Sequence, residues 1–563
     1  MKFESLPNEI FLECLQYFDG LQIFHSFDQL NSRFNRLIRT IPLYVNFDEI
    51  KQCLFDKFCQ TILLNPEIKQ TIIYLKLSND KIYQQIENFF SLFSLNEFLH
   101  LRSLSLFGIY NGKVQQIQSN LSYILDLHYF HCTTYSDSKF LITSALTKSK
   151  IEILNLRKFT LNSTDIYETM SLTSLTVYEC TLNDICHLFK YTPMLKYLEI
   201  TKFCKSEITN NELDITNTNV GQLKKLIIHY SEVKFEEIEL LLKCLSNLNI
   251  FSIRSHEITI IDAARWQYLI ENSLPHLHIF KFNFSYSAYD SSDEKLSKIR
   301  KFQTDFWQKQ HQWYTINEID QSSASVYTIP NISRVYTLGS TTKIYENSLV
   351  NNSTIFNNVT SLYLVPKAIG NNSLSYFRNV KSLRLSRELI FFNNDDEEEE
   401  EKTYECDISR THINNLHRIV NLSCITYLEV GSGFHLSSCL LTKILQKLSN
   451  VNSLEIPKPV LISYLENRQL CKILNKKIKK LYIPSYSSRF GCQHIKLNQI
   501  DWLYKAFSNL EQLKCSIKNI QCLVSLLEKF SQLSRLTIVN TNAQIKSWIN
   551  TNASTFNVHF DTF

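Results

Sequence analysis

The sequence predicts an α/β solenoid, in which a short strand and a helical stretch recur along most of the chain. A six-residue phrase, apolar-x-x-Leu-x-apolar, occurs fifteen times between residues 72 and 538, with Phe in place of the central Leu in two copies. The central position recurs after 21, 23, 28, 25 and 29 residues from Leu154 to Phe280. Stretches with apolar i, i+3, i+4 spacing lie between the phrases. Together these features indicate a leucine-rich-repeat horseshoe.

The composition indicates a folded globular chain and gives no sign of a nucleic-acid partner, a disulfide framework or a membrane span. Of 563 residues, 44% are hydrophobic and 20% are charged, which is typical of globular proteins. The net charge of +5 is small for this length, so no nucleic-acid partner is expected. No C-x-x-C pair, secretory signal or run of 18 apolar residues is present. We therefore expect reduced thiols, no membrane association and a cytoplasmic or nuclear location.

Five segments are predicted in chain order. They are a small all-α module (1–45), a linking or capping helix (46–67), leucine-rich repeats (68–290), an irregular aromatic-containing insertion or degenerate repeats (291–355), and further repeats (356–563). A weak copy of the phrase ends in Leu125-x-Leu127. The aromatic residues Trp307 and Trp313 either pack on a flank of the solenoid or anchor a partner. The acidic loop at 393–404 is either a solvated charge block or a docking site for a basic partner.

The N-terminal module combines short helices with apolar faces. Pro7 suits the start of a helix, and the next apolar residues share one face at helical spacing. Such a short piece buries little surface by itself. Its apolar face therefore indicates either a docked partner or a docked neighbouring part of the chain.

The N-terminal motif Leu6-Pro7-x-Glu9-Ile10, with an Arg33-Phe34-x-x-Leu37 ending, resembles an F-box. An F-box is a small helical module that binds the Skp adaptor of a cullin-based ubiquitin ligase. The resemblance implies that five residues contact the adaptor, and through it a cullin: Leu6, Pro7, Ile10, Leu15 and Phe18. The module together with repeats resembles the F-box leucine-rich-repeat class of substrate receptors. The alternative is a leucine-rich-repeat interaction scaffold unrelated to ubiquitin, in which the helices only cap the repeats.

A substrate surface is expected on the strands. Side chains alternate along a strand, so the residues that flank the buried Leu positions share one side of the sheet. The predicted substrate-binding residues on that side are Arg157, Tyr178, Lys225, His229, Arg254 and Lys281. Their charge indicates an acidic or phosphorylated protein segment, because Arg binds both groups through paired hydrogen bonds. The alternative is that they are the solvated charges that cover any exposed strand.

No motif for catalysis is present. The sequence lacks a phosphate-binding G-x-x-x-x-G-K-[ST] loop, a G-x-S-x-G elbow and an H-E-x-x-H helix. The densest set of metal-ligand residue types is His128-Tyr-Phe-His131-Cys132, which lacks a fourth ligand and also fits successive positions of a repeat. We therefore expect no catalytic residue, no cofactor, no metal site and a non-enzymatic role.

Overall fold

The computed structural model divides into two compact units, Met1–Phe280 and Lys281–Phe563. Each contains a long sheet of parallel strands with helices between them, so the predicted α/β leucine-rich-repeat fold is confirmed. The structure describes residues 6–48, 50, 52–79, 84–109, 117, 121, 123–134, 140–141, 150–157, 159–160, 171–205, 222–287, 290–345, 347, 349, 354–371, 375–386, 409–431, 436–487, 491–539, 541–552, 556 and 558–562. The predicted acidic loop at 393–404 lies outside the described residues. None of the helices in these ranges is both long and apolar enough to cross a membrane.

The first unit begins with helices and continues as alternating strands and helices. Its helices are α1 (Asn8–Leu15), α2 (Gly20–Phe27), α3 (Ser32–Ile38), α4 (Gln52–Leu64), α5 (Ile68–Thr71), α6 (Gln85–Leu92), α7 (Leu182–Tyr191), α8 (Phe235–Lys243) and α9 (Ala263–Ser273), with single 3₁₀ turns at Leu95–Glu97 and Ile258–Ile260. Its strands are β1 (Leu43–Asn46), β2 (Ile72–Ser78), β3 (Ser103–Ile109), β4 (Tyr129–Thr134), β5 (Phe140–Leu141), β6 (Ile153–Leu156), β7 (Phe159–Thr160), β8 (Ser174–Thr181), β9 (Tyr197–Cys204), β10 (Lys225–Ser231) and β11 (Ile250–Ser255). Strands β5 and β7 pair with each other, and the remaining strands form one parallel sheet in chain order.

The repeated phrase forms two continuous buried rows across this sheet. The central positions are register partners on neighbouring strands: Leu75, Leu104, Phe130, Leu154, Leu175, Leu198, Leu226 and Phe251. The final apolar positions form the second row: Leu77, Leu106, Cys132, Leu156, Val177, Ile200, Ile228 and Ile253. No member of either row is more than 4% exposed. Burial of a large apolar side chain contributes about 1.5–3 kcal/mol, so these rows dominate the stability of the sheet.

One copy of the phrase is placed differently from the sequence prediction. The weak copy put a strand end at Leu125-x-Leu127, but Leu125 is exposed and β4 begins at Tyr129. The phrase here is Leu127-x-x-Phe130-x-Cys132, and all three of its apolar residues are buried. This copy has Phe at the central position and Cys at the last one.

Helices α8 and α9 cover one side of the sheet. Trp266 of α9 is fully buried, and its ring lies 4.8 Å from Phe235 of α8, 6.2 Å from Phe251 and 5.0 Å from Phe280. Its indole N–H donates to the Ile260 carbonyl at 2.9 Å. Because Phe251 belongs to a buried row, these helices lie against the buried rows, and the opposite side of the strands faces away from them.

The N-terminal helices pack against the first strand of the sheet. Strand β1 pairs in parallel with β2, so the sheet starts at Leu43, ahead of the predicted start of the repeats at residue 68. Asp19 caps α2 by accepting from the Gln22 N–H at 2.8 Å. Gly20 then brings α2 close to β1, because a Cβ at this position would lie 3.1 Å from the Val45 side chain.

The second unit contains a group of antiparallel strands and a second parallel sheet. Its helices are α10 (Ser292–Ile299), α11 (Ala368–Asn371), α12 (Arg410–Asn415), α13 (Ser438–Lys447), α14 (Lys458–Tyr464), α15 (Arg468–Lys477), α16 (Ile500–Phe507), α17 (Ile520–Lys529) and α18 (Ala543–Asn552), with single turns at Arg300–Gln303, Phe306–Gln310, Leu416–Arg418, Leu422–Cys424 and Leu497–Gln499. Its strands are β12 (Ile279–Ser287, which starts two residues before the division), β13 (Thr315–Ile319), β14 (Ser323–Thr328), β15 (Val335–Leu338), β16 (Lys343–Tyr345), β17 (Ser361–Leu364), β18 (Ser382–Leu385), β19 (Tyr427–Val430), β20 (Ser453–Glu455), β21 (Lys480–Tyr482), β22 (Tyr486–Ser487), β23 (Gly491–Cys492), β24 (His494–Ile495), β25 (Gln512–Ile517), β26 (Arg535–Ile538) and β27 (His559–Thr562). Strands β12, β14, β13 and β16 pair antiparallel in that order, whereas β15, β17–β21 and β25–β27 form the parallel sheet; β24 pairs with β25, and β22 with β23.

The irregular segment at 291–355 contains both structures that the sequence left open. It supplies α10 and the antiparallel strands β13, β14 and β16, which have no counterpart in a repeat. It also supplies β15, where Tyr336 is the register partner of Leu362 and continues a buried row of the parallel sheet. The division between the units at Phe280 precedes the predicted segment boundary at residue 290.

Candidate functional site

The candidate binding surface is the side of the parallel sheet in the first unit that faces away from helices α8 and α9, which we call the open face. It carries the strand residues that alternate with the two buried rows. One outward row consists of Tyr44, Tyr74, Ser103, Tyr129, Ile153, Ser174, Tyr197, Lys225 and Ile250. Tyr and Arg are the residue types most enriched in protein-binding hot spots, so the chemistry of this face suits a protein ligand.

A second outward row crosses five neighbouring strands on the side of the second buried row nearer the strand ends, and we call it the strand-end row. Its members each follow a residue of the second buried row, and those buried residues are register partners. The row is Arg157, Tyr178, Thr201, His229 and Arg254. It therefore contains four of the six predicted substrate-binding residues.

The side chain of Arg157 is held in place by a hydrogen bond and by an aromatic contact. Its Nη1 donates to the Thr134 carbonyl at 2.6 Å, and its guanidinium lies 5.7 Å from the centre of the exposed Tyr178 ring. A cation over an aromatic face is attracted electrostatically, which favours this side-chain orientation. Within the described parts of the chain, Arg157 has no carboxylate partner.

The centre of the face is internally neutralised. The Glu199 carboxylate lies 2.6 Å from His229 Nε2 and also accepts a hydrogen bond from the Tyr197 hydroxyl. Burial raises the pKa of Glu199, but these two contacts outweigh it and hold that pKa below its ordinary value. Lys225 is stacked 5.1 Å from the centre of the Tyr197 ring. His229 and Lys225 are thus engaged with neighbours on the same face.

Arg254 marks the other end of the strand-end row. It is half-buried beside Tyr230 and His256, whose rings are 5.5 Å apart. Burial lowers the pKa of His256, and the adjacent Arg254 charge lowers it further. The positive charge here is therefore concentrated on the Arg254 guanidinium. The sixth predicted residue, Lys281, is exposed and belongs to the second unit.

The candidate adaptor surface is a line of exposed residues along α1, which we call the α1 strip. Pro7, Ile10, Cys14, Tyr17 and Phe18 follow one another at helical spacing, and all are exposed. Ile10 is 41% exposed, Phe18 45% and Tyr17 89%. Cys14 and Tyr17 were not among the predicted adaptor-binding residues, although their spacing from Ile10 pointed to both.

The five predicted adaptor residues occupy different environments. Pro7, Ile10 and Phe18 are in the strip, whereas Leu15 is buried on the opposite side of α1. Leu6 is half-buried, and its carbonyl accepts a hydrogen bond from Arg33 Nη2 at 2.6 Å. In this conformation Leu15 packs in the core of the helical module and is not accessible to a partner.

The His and Cys residues at 128–132 face different directions. His128 pairs with Glu152 at 3.0 Å, His131 lies on the open face with its ring 4.5 Å from Phe107, and Cys132 is in the core. The alternation of strand β4 separates them, as the repeat interpretation expects. Among the described residues, no three His, Cys, Asp or Glu side chains lie close enough together to hold a metal ion.

The aromatic residues of the irregular segment form a small core. Trp307 is fully buried, with its ring 5.0 Å from Phe302 and 6.0 Å from the buried Trp313. The alternative that these residues anchor a partner at the surface is therefore not supported, because neither indole is presented to solvent.

A polar cavity of about 790 Å³ lies in the second unit, between α10 and the turn that joins β13 to β14. Its one buried charge is Lys295, whose ammonium donates to the carbonyls of Asp320 at 3.3 Å and Gln321 at 2.8 Å. The cation is thus used to hold the turn against α10.

Comparison with known proteins adds little to this geometry. No family model matches the chain, and no curated protein matches it. One similar solved structure is the yeast complex of Rad7 and Elc1, with 12% identity over 70% of this chain and 77% of that chain and a TM-score of 0.25. Another is the leucine-rich-repeat-containing protein LegL7 from Legionella pneumophila, with 11% identity over 70% of this chain and 83% of that chain and a TM-score of 0.21. Similarities this low carry no argument about function.

Proposed function

We propose that the chain is a substrate-recognition adaptor of a cullin-type ubiquitin ligase. The α1 strip binds a Skp adaptor, and the open face binds a protein substrate. The observation that carries the proposal is the α1 strip, a line of apolar side chains left exposed at the position where the sequence resembles an F-box. Contiguous apolar surface on a folded protein commonly marks a binding site.

The mechanism under this proposal is positioning. The chain contributes no bond-forming residue; it holds a substrate close to the ubiquitin-charged enzyme that its partners supply. Linking two binding events in this way raises the effective concentration of one partner near the other, to the millimolar range for short connections. The parallel sheet provides a rigid connection, because its strands share one register and one core.

The test is a double substitution in the full chain, Ile10→Asp with Phe18→Asp. Both side chains are exposed, so the fold should be retained, while a charge buried in an adaptor groove costs several kcal/mol. We expect at least a hundredfold loss of affinity for a purified Skp adaptor, measured by titration calorimetry. Leu64→Asp is the matched control, because Leu64 is 81% exposed at the end of α4. Unchanged adaptor affinity in the double variant would rule the F-box assignment out.

A second candidate function is an interaction scaffold unrelated to ubiquitin. The packing of the module favours it: Leu15 is buried, and α2 lies against β1 at Gly20, so the three helices close the end of the sheet. Terminal repeats need such a cap. The same calorimetry separates the two candidates, because a scaffold shows no adaptor binding in the unmodified chain and still binds its partners through the open face.

A further inference from the structure

We propose that the outer surface of helices α13, α15 and α16 in the second unit binds the phosphate backbone of a nucleic-acid duplex. We call this surface the cation array, and it consists of Lys443, which is half-exposed, and five exposed residues: Lys447, Arg468, Lys472, Lys476 and Lys505. It includes no residue of the α1 strip or the open face. The inference therefore goes beyond the proposed function and does not depend on it.

The positive charge of the chain is concentrated in the part that contains the array. Residues 436–552 include 17 Lys or Arg and 5 Asp or Glu, a net charge of +12 in a chain whose total is +5. The small total, from which no nucleic-acid partner was expected, is thus the sum of a basic part and an acidic remainder. A polyanion responds to the local charge of the surface that it approaches.

Hydrogen bonds between α13 and α15 bring their lysines to matching levels. Asn467, which caps α15, donates from its side chain to Ser438 Oγ at 3.0 Å. At the other end of α15, Lys477 donates to the Leu448 carbonyl at 2.7 Å. Each bond joins residues 29 positions apart. Two pairs of cations have the same spacing: Lys443 with Lys472, and Lys447 with Lys476.

The same relation extends to α16. Ser508 donates to the Asn475 side chain at 3.0 Å, across 33 positions, and Lys505 follows Lys472 by the same number. Packed helices lie about 8–10 Å apart, and four residues along a helix span about 6 Å. The array is therefore a two-dimensional grid of charges fixed by the packing of three helices.

The cations of the array are not neutralised by the chain. Helices α13 and α15 contain no acidic residue, and the one in α16, Asp501, pairs with Lys529. Lys479, just beyond α15, pairs with Glu511 at 2.6 Å. Within the part of the chain that the structure describes, no member of the array has a carboxylate partner. These charges are therefore available to an external anion.

The residues around the cations favour nucleic acid over an acidic protein or a membrane. Protein interfaces have an apolar centre and a polar rim, whereas α15, the middle helix of the array, exposes no large apolar side chain. A helix that lies on a membrane turns its apolar face to the lipid, but here Leu441, Leu470 and Leu503 point into the core. Interfaces with nucleic acid are polar and strongly positive, as this surface is.

The grid favours a duplex over a single strand. Single strands are bound along a basic groove in which successive bases stack on aromatic rings. The array has exposed rings at one edge only, Trp502 and Tyr504 of α16. A duplex presents phosphates of two strands to one surface, and lysine ammonium groups contact them without reading the bases.

The test is fluorescence anisotropy of the full-length chain with labelled DNA and RNA duplexes of one sequence, at salt concentrations between about 50 and 200 mM. Each phosphate contact adds about 0.9 to the slope of log affinity against log salt concentration. The triple variant Lys472→Gln, Lys476→Gln and Lys505→Gln should therefore lower that slope by about 2–3 and weaken binding by about tenfold or more.

The matched control is the triple variant Lys190→Gln, Lys196→Gln and Lys224→Gln, which removes the same charge from exposed positions of the first unit. It should keep both the slope and the affinity, and circular dichroism confirms that each variant is folded. Salt-dependent binding of either duplex that only the array variant weakens supports the inference, and the tighter duplex identifies the nucleic acid.

Several results would overturn the inference. They are an absence of duplex binding by the unmodified chain, equal weakening in the two triple variants, and unchanged binding in the folded array variant. Tighter binding of the single strand would assign the array and Trp502 to unpaired nucleic acid instead. Tighter binding of a polyglutamate peptide or of phosphatidylserine vesicles would assign the surface to an acidic protein or to a membrane. No adaptor is present in this assay, so its failure is separate from a failure of adaptor binding.

Discussion

The carboxyl group of Glu318 should make the antiparallel strands around it less stable to local opening as the pH rises. Glu318 lies on β13 and accepts hydrogen bonds from the Tyr327 hydroxyl at 3.1 Å and the Tyr336 hydroxyl at 2.5 Å. Part of the residue reaches solvent, but both tyrosines are buried and surround the carboxyl group. Burial raises the pKa of Glu318 to about 7, against the two hydrogen bonds, which lower it.

The direction of the effect follows from that pKa. A raised pKa means that the folded state holds its proton more tightly than the unfolded state, so Glu318 favours folding while it is protonated. This contribution is complete below the ordinary value of 4.5 and is lost as the pH rises through about 7. At 1.36 kcal/mol per pH unit, the change between pH 5 and pH 8 is about 2–3 kcal/mol.

The perturbation is Glu318→Gln, which keeps the shape and removes the titration. The difference in opening free energy between variant and wild type should shift by about 2–3 kcal/mol in favour of the variant between pH 5 and pH 8. Amide hydrogen exchange of β13 and β14 measures it, because exchange reports local opening of one region at a time. Amides of β25 and β26 are the internal control and should be unaffected. A difference that is the same at both pH values would refute the reasoning.

Two further substitutions test the cores of the units. Trp266→Ala should lower the free energy of unfolding of the first unit by about 3–5 kcal/mol, because it empties a site lined by Phe235, Phe251 and Phe280. Trp266→Phe should lower it by less, because the smaller ring still fills part of the site. Equal losses for the two variants in urea unfolding would contradict this account. Asn317→Leu should stabilise the second unit by about 1–3 kcal/mol. Asn317 is fully buried, and neither its Oδ1 nor its Nδ2 has a hydrogen-bond partner among the described residues. A lower melting temperature of the variant would show that the amide group is hydrogen-bonded in solution.

The sequence was sufficient to predict the members of the buried rows wherever Leu occupies the central position of the phrase. Leu154, Leu175 and Leu198 occupy the positions that the phrase predicted, because an inward position has to be apolar and has to keep register with both neighbouring strands. Two repeats were missed: Phe130 continues the row of Leu154 in the first unit, and Tyr336 continues the row of Leu362 in the second unit.

Alternation along a strand predicts which residues point outward, but it does not predict their partners. Arg157 and Tyr178 were predicted to share a face, and they are in contact. The bond between Glu199 and His229 joins β9 to β10, and it depends on the register between strands that are thirty residues apart in sequence. Likewise, the burial of Leu15 depends on how three helices pack, which the apolar pattern of one helix does not contain.

This separation between inward and outward positions decides how the open face can be tested. The inward rows carry the apolar burial, and each repeat contacts mainly its neighbours, so outward substitutions leave the folding determinants in place. Exposed polar positions away from special backbone geometry usually change stability by no more than about 0.5 kcal/mol. Among the outward residues of the open face, His229 and Tyr178 are exposed, whereas Arg157 and Arg254 are both half-buried. A change in binding on substitution at an exposed outward position therefore measures recognition, and a substitution at either arginine needs a check by circular dichroism that the variant is folded.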